Sequence, residues 1–367
     1  MPQDTPLFEH DARGEGDPYA LVGQLSWQPL DAHLDALVAA GEAPDGQCSR
    51  CRLKCCTYQI AVPEAEVDRV TAAAARLGVT AFAIFRPPRP GDMAGARVLT
   101  QRDDGRCLFF DPAERCRIHD AIGPEAKPSV CQLYPGQPTV TPLGARVPVR
   151  PECPWPQRTR EPDAVARYAR VLESRRDVSP RLLVRVVPEV VRLDAHVSAP
   201  FAAVDAWLTE AAASIRAAAT AMAGLDQAIT LLVTRFSLTP TQDPALPART
   251  LAAALSGVLD HCKALTASDA FVKVACAAPP ADPRPTPSEL VAVALESFEP
   301  LRFPTLLAGL GVLRLFVAAC DRDARSLTAP NEVLAGYFRQ LHSDAVRLPL
   351  ARATPATLEA AAFAPGL

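Results

Sequence analysis

Four cysteines fall within nine residues, Cys48-Ser-Arg-Cys51-Arg-Leu-Lys-Cys55-Cys56, a C-x2-C-x3-C-C string. Thiolates this dense can turn inward from a single tight loop, and soft sulfur selects zinc, copper(I) or iron-sulfur clusters over hard cations. Arg50, Arg52 and Lys54 are interleaved with them, and no acidic residue occurs between Cys48 and Pro63. Local positive charge lowers thiol pKa and offsets the negative charge of a tetrathiolate centre. On a surface loop the same three side chains simply meet water. Four more cysteines follow at wider spacing, Cys107, Cys116, Cys131 and Cys153, and the last three of the eleven, Cys262, Cys276 and Cys320, lie in apolar settings where cysteine packs as a small hydrophobe. The first eight allow two tetrathiolate sites, or one site with a redox-active remainder. Which sulfur joins which is open at this level.

Disulfides are the competing reading for the eight. The N-terminus, MPQDTPLFEHDARGEGDP, is polar and acidic and lacks the basic and apolar regions of a secretory signal, so a cytoplasmic, reducing setting is expected. The neighbours Cys55 and Cys56, about 3.8 Å apart at Cα, also miss the roughly 4.4 to 6.8 Å that a disulfide prefers. Arg314 interrupts the apolar stretch 303–320, and Arg216 and Asp226 interrupt the alanine-rich one before it. No run reaches the about 18 apolar residues of a spanning helix, so no membrane partner is expected. A formal charge of -3 gives no broad electropositive field, which argues against nucleic acid as a partner. With 367 residues, 49 % hydrophobic and 22 % charged, the chain is long and apolar enough for two globular domains.

The elements that must position the cysteines are short. Leu30, Leu34, Leu37 and Val38 predict a docking helix within an N-terminal arm, 1–44. After the first cluster, Val67, Val70, Ala74 and Leu77 make one helical face that Gly78 stops. RVLTQR, RCLFF and RCRIH, separated by Asp103-Asp104-Gly105 and Asp111-Pro112-Ala113, read as a small antiparallel meander bearing Cys107 and Cys116. A short helix then carries Val130, Cys131 and Leu133 up to Tyr134-Pro135, and a hairpin, PTVTPLGARVPV, leads to Cys153. So loop-rich a unit leaves little conventional core, and a metal is a common remedy. Beyond Pro162 the texture is helical: Phe201, Val204, Leu208 and Ile215 share one face, Val333, Leu334, Tyr337, Phe338 and Leu341 another, and Leu306 to Cys320 predicts a centrally buried helix. The proline-rich stretches Thr239 to Pro247 and Ala278 to Pro287 read as inter-helix loops.

CSRCRLKCC followed by CLFFDPAERCRIHDAIGPEAKPSVCQLYP resembles the YkgJ-like cysteine-cluster family, described as a zinc- or iron-chelating domain. The resemblance runs over about 45–157 and rests on the cluster, on Cys107 with Phe109, on Cys116 with Ile118 and His119, and on Pro128 with Cys131, Tyr134 and Pro135. Gln132 stands where the family commonly has arginine, which departs from any charge pairing made there. Larger family members with a helical C-terminal half are similar to flagellin lysine N-methylases. The resemblance thus also implies an alternative, a protein-lysine N-methyltransferase acting on a protein such as flagellin with S-adenosylmethionine. The residues themselves show neither a C-x3-C-x2-C triad nor a glycine-rich turn after a predicted strand. A metal-stabilised interaction module is a third reading.

The expectation is therefore an α+β protein: a small cysteine-rich metal-binding domain at 45–160 with short hairpins and helices, then an all-α domain at 161–367. Cys48, Cys51, Cys55, Cys56, Cys107, Cys116, Cys131 and Cys153 are the candidate metal ligands, for an iron-sulfur cluster of the 4Fe-4S type or for zinc. His119, expected on the strand of Cys116, is a candidate extra ligand, and Tyr134 and Trp155 are candidate shields for a cluster. No catalytic residue is assigned.

Overall fold

The computed structural model describes residues 43–46, 60–88, 95–103, 105–111, 116–153, 156–159, 162–175, 178, 183–239, 248–268, 272, 286–341, 346, 350 and 353–363. The predicted docking helix at Leu30 to Val38, the cluster Cys48 to Cys56, Trp155 and Cys276 lie outside these residues.

Strand β1 (Ala43–Gly46) precedes the cysteine cluster, and β2 (Ala61–Pro63) follows it. Helix α1 (Val67–Arg76) buries Val67, Val70, Ala73 and Ala74, as the spacing predicts. It ends where Gly78, at φ +70°, donates its N–H to Ala75 O and Val79 donates to Ala74 O, each at 3.0 Å. This pair of bonds satisfies the last carbonyls, and a side chain at Gly78 would strain the left-handed backbone. Strand β3 (Ala96–Val98) pairs antiparallel with β2, Ala61 opposite Val98. Their apolar residues meet α1 in a core that includes Ile60, Val62, Val70, Ile84, Leu99, Phe109 and Ile118.

Among the described residues, the predicted meander is present as isolated bridges, Gln101 with Cys107 and Phe110 with Cys116. In place of the strand expected at RCRIH, the described residues after Cys116 form helix α2 (Arg117–Ala121), with Asp120 N–H donating to Cys116 O at 3.0 Å. The segment has one apolar side chain to bury, Ile118. A single helical turn buries it and leaves His119 and Asp120 in solvent. Helix α3 (Ser129–Leu133) carries Cys131, and β4 (Thr139–Thr141) and β5 (Gly144–Arg146) form the predicted hairpin. Strand β6 (Pro156–Thr159) returns to pair antiparallel with β1.

Helix α4 (Pro162–Glu173) buries Tyr168, Val171 and Leu172 against Leu133 and Val147. The expectation of an all-α segment after 161 is corrected by β7 (Arg185–Val186), β8 (Val190–Arg192) and β9 (Ser198–Pro200). The run Leu183-Val-Arg-Val-Val-Pro-Glu-Val-Val is β-branched and broken by Pro188, which disfavours helix and suits short strands. Asp194 makes the tight turn between β8 and β9, its Oδ1 accepting the N–H groups of His196 and Val197 at 2.7 Å. β7 pairs parallel with β4, so residues from both sides of position 160 share one sheet.

The remaining helices are α5 (Phe201–Ala217), α6 (Ala221–Phe236), α7 (Ala248–Ser268), α8 (Pro287–Glu296), α9 (Leu306–Arg322), α10 (Pro330–Gln340) and α11 (Pro355–Phe363). Every residue from Leu306 to Cys320 is buried, which makes α9 the central element the sequence predicts. The one charged residue of that buried stretch, Arg314, is only 8 % exposed and donates from Nε to Asp226 Oδ1 on α6 at 2.9 Å. A buried charge needs such a partner. The architecture is mixed α and β, with helices dominating. Among the described residues no helix is long and apolar enough to cross a membrane.

Candidate metal centre

Three of the eight candidate cysteines come from three separate pieces of local structure and meet one core. Cys107 lies in the bridge with Gln101, Cys116 in the bridge with Phe110 just before α2, and Cys131 on α3. Cys107 is buried within the core of β2, β3 and α1, and Cys116 and Cys131 pack against the same core. Burial pushes the Cys131 thiol up to about 12; Lys127 opposes this, while Cys107, Cys116 and Glu66 push in the same direction as burial. The residue keeps partial solvent exposure, but its sulfur is crowded by protein atoms and lies within electrostatic reach of both other thiols.

Cys153 is placed elsewhere. It is buried with Val149 of the cysteine-rich segment and Val293 of α8, beside Tyr134. Tyr134, expected as a shield for a cluster, packs by Cys153. His119 projects from α2 into solvent.

The described residues that flank the first cluster are placed by pairing on both sides. Gly46, two residues before Cys48, is opposite Pro156, three residues after Cys153. Ile60, four residues after Cys56, accepts a hydrogen bond from Leu99 N–H at 2.9 Å, two residues before Gln101 and its bridge to Cys107. The described residues on either side of the cluster, Gly46 and Ile60, are thus paired with residues that precede or follow Cys153 and Cys107 by a few positions in the chain. Among the described residues alone, no three His, Cys, Asp or Glu side chains form a ligating group.

Sequence reasoning passed over the acidic residue beneath these thiols. Glu66 precedes α1, is 1 % exposed, and accepts from Ser129 N–H at 2.9 Å through Oε2 and from Ser129 Oγ through Oε1. Arg69 Nη2 and Arg175 Nε meet the same carboxylate at 2.9 and 3.2 Å, at ion-pair distance but without hydrogen-bond alignment. The signal was present: Glu66 stands at helical spacing from Val70, Ala73 and Leu77, on the face that is otherwise apolar.

The donor set suits a soft or borderline metal. Thiols gathered in an apolar core can hold zinc or iron as thiolates, and such metals displace the thiol protons that burial otherwise retains. This is the chemistry of a cysteine-ligated metal-binding segment. Residues 47–154 match the family model CxxCxxCC, described as "Putative zinc- or iron-chelating domain". The match falls on the family that the sequence resembles, and it covers under a third of the chain. Comparison with curated proteins and with solved structures gives no match.

Proposed function

We propose that residues 45–160 form a metal-binding domain in which Cys107, Cys116 and Cys131 act with thiolates of the Cys48, Cys51, Cys55 and Cys56 cluster, and that Cys153 serves the part of the cluster nearest to it. The observation that carries this reading is that three cysteines from separate pieces of local structure pack on one core, with Cys107 and Cys116 within electrostatic reach of Cys131. A metal bound there supplies folding free energy to a unit of short strands and single-turn helices, or, as iron-sulfur, a site for electrons. Iron-sulfur chemistry is favoured, because eight thiols exceed the four that one structural zinc takes. The chain's own part is to hold the thiols in place, exclude water from Cys107, and balance the thiolate charge with Lys127 and the lysine and arginines of the cluster. Residues 161–367 are proposed as a second, mainly helical domain.

The test is an absorption spectrum and metal quantification on the full chain purified without oxygen. A brown protein with a broad band near about 400 nm supports iron-sulfur. A colourless protein with stoichiometric zinc keeps the thiolate centre and removes the redox version.

A further inference from the structure

Glu66 is joined to the peptide that carries Cys131 by more than its two bonds to Ser129. Arg69 Nη1 donates to Glu125 O at 2.9 Å and to Lys127 O at 2.8 Å, and Arg175 Nη2 donates to Glu125 O at 3.1 Å. Gln132 Nε2 donates to the same Lys127 O at 2.7 Å. The carboxylate therefore holds two arginines, and the arginines hold the carbonyls of the loop that starts α3. Ser129 is itself fully buried. Cys131 stands two residues further on, on a helix of only five residues that could not keep its place unaided.

We propose that Glu66 is a positioning residue for the Cys131 thiol. Through Ser129, Arg69 and Arg175 it fixes the start of α3, and so fixes where the sulfur stands relative to Cys107 and Cys116. The inference rests on the metal-binding reading above. Arg175 lies beyond the segment 47–154 that matches the chelating domain, so a residue outside that segment helps to set one of its thiols. Groups that orient metal ligands typically change metal affinity by about 10- to 100-fold when removed.

The experiment uses the full chain, stripped of metal under reducing, oxygen-free conditions and titrated with cobalt(II), whose visible bands report the geometry of thiolate coordination. Glu66→Gln is expected to weaken cobalt binding by about 10- to 100-fold and to shift the bands. Unchanged affinity, or lower occupancy with unchanged bands, overturns the inference, because a merely structural role lowers the folded fraction and leaves the remaining sites alike. If Glu66→Gln does not fold, Arg175→Gln, which keeps the Ser129 bonds, decides by the same two readouts, with a smaller expected loss. A wild-type chain that binds no cobalt overturns the metal-binding reading itself, and this inference with it.

Discussion

Arg185 Nη2 donates to Glu299 Oε1 at 2.9 Å, an ion pair between residues 114 positions apart. Arg302 Nε meets the other oxygen of Glu299 at 2.9 Å, and Arg185 also donates to Ser297 O. Glu299 is 2 % exposed and Arg185 14 %, so the pair is largely out of water. Burial lowers the Arg185 pKa, the charges of Arg302 and Arg150 lower it further, and Glu299 opposes them. One carboxylate thus balances clustered guanidinium groups beneath α8.

Removing Glu299 leaves those cations uncompensated, so Glu299→Ala is expected to destabilise the fold by about 3 to 5 kcal/mol. Replacing the pair together, Glu299→Leu with Arg185→Met, should recover much of that loss. Denaturant unfolding of the full chain checks both, and a loss below about 1 kcal/mol for Glu299→Ala would contradict the account.

Gly311 on α9 lets α11 approach closely: a Cβ there would lie 1.9 Å from Leu358 O, a backbone atom that cannot swing away. Gly311→Ala is expected to cost about 1 to 3 kcal/mol. Gly257 on α7 has nothing within 4 Å of such a Cβ, so Gly257→Ala should stabilise by about 0.5 to 1 kcal/mol. Opposite signs in thermal melts are the expected result, and equal signs would contradict the packing described.

Cys262 and Cys320 have thiols pushed up to about 12, each first by burial. Below about pH 9 both folded and unfolded chains keep these protons, and the thiols add no pH dependence. Above it the unfolded chain ionises first, so stability falls as pH rises, by up to about 1.4 kcal/mol per pH unit for each thiol. Melts of the wild type and of a Cys262→Ala, Cys320→Ala variant between about pH 8 and about pH 10.5 should diverge, the variant falling less steeply.

The long helices were legible because their buried faces repeat at helical spacing: Phe201, Val204, Leu208 and Ile215 on α5, and the continuous apolar run of α9. The strands β7 to β9 were not, since two or three residues carry no usable period and helical texture surrounds them. The strand expected at Cys116 failed for a related reason, a segment with one apolar residue fitting either period. Within the site, residue type singled out the cysteines, but the separation of Cys153 from Cys107, Cys116 and Cys131 depends on tertiary packing. The pairing of Glu66 with Ser129 spans 63 positions, and no local pattern encodes it.

In the proposed centre, thiols from separate pieces of local structure hold one metal-binding unit. The decisive measurement is metal content per chain in the oxygen-free wild type, beside the single variants Cys107→Ser, Cys116→Ser and Cys131→Ser and the control Cys262→Ala. Bound iron or zinc is expected in the wild type and in Cys262→Ala, and a marked loss in each of the three serine variants. A wild type without metal, its thiols all reacting freely in the folded state, would contradict it.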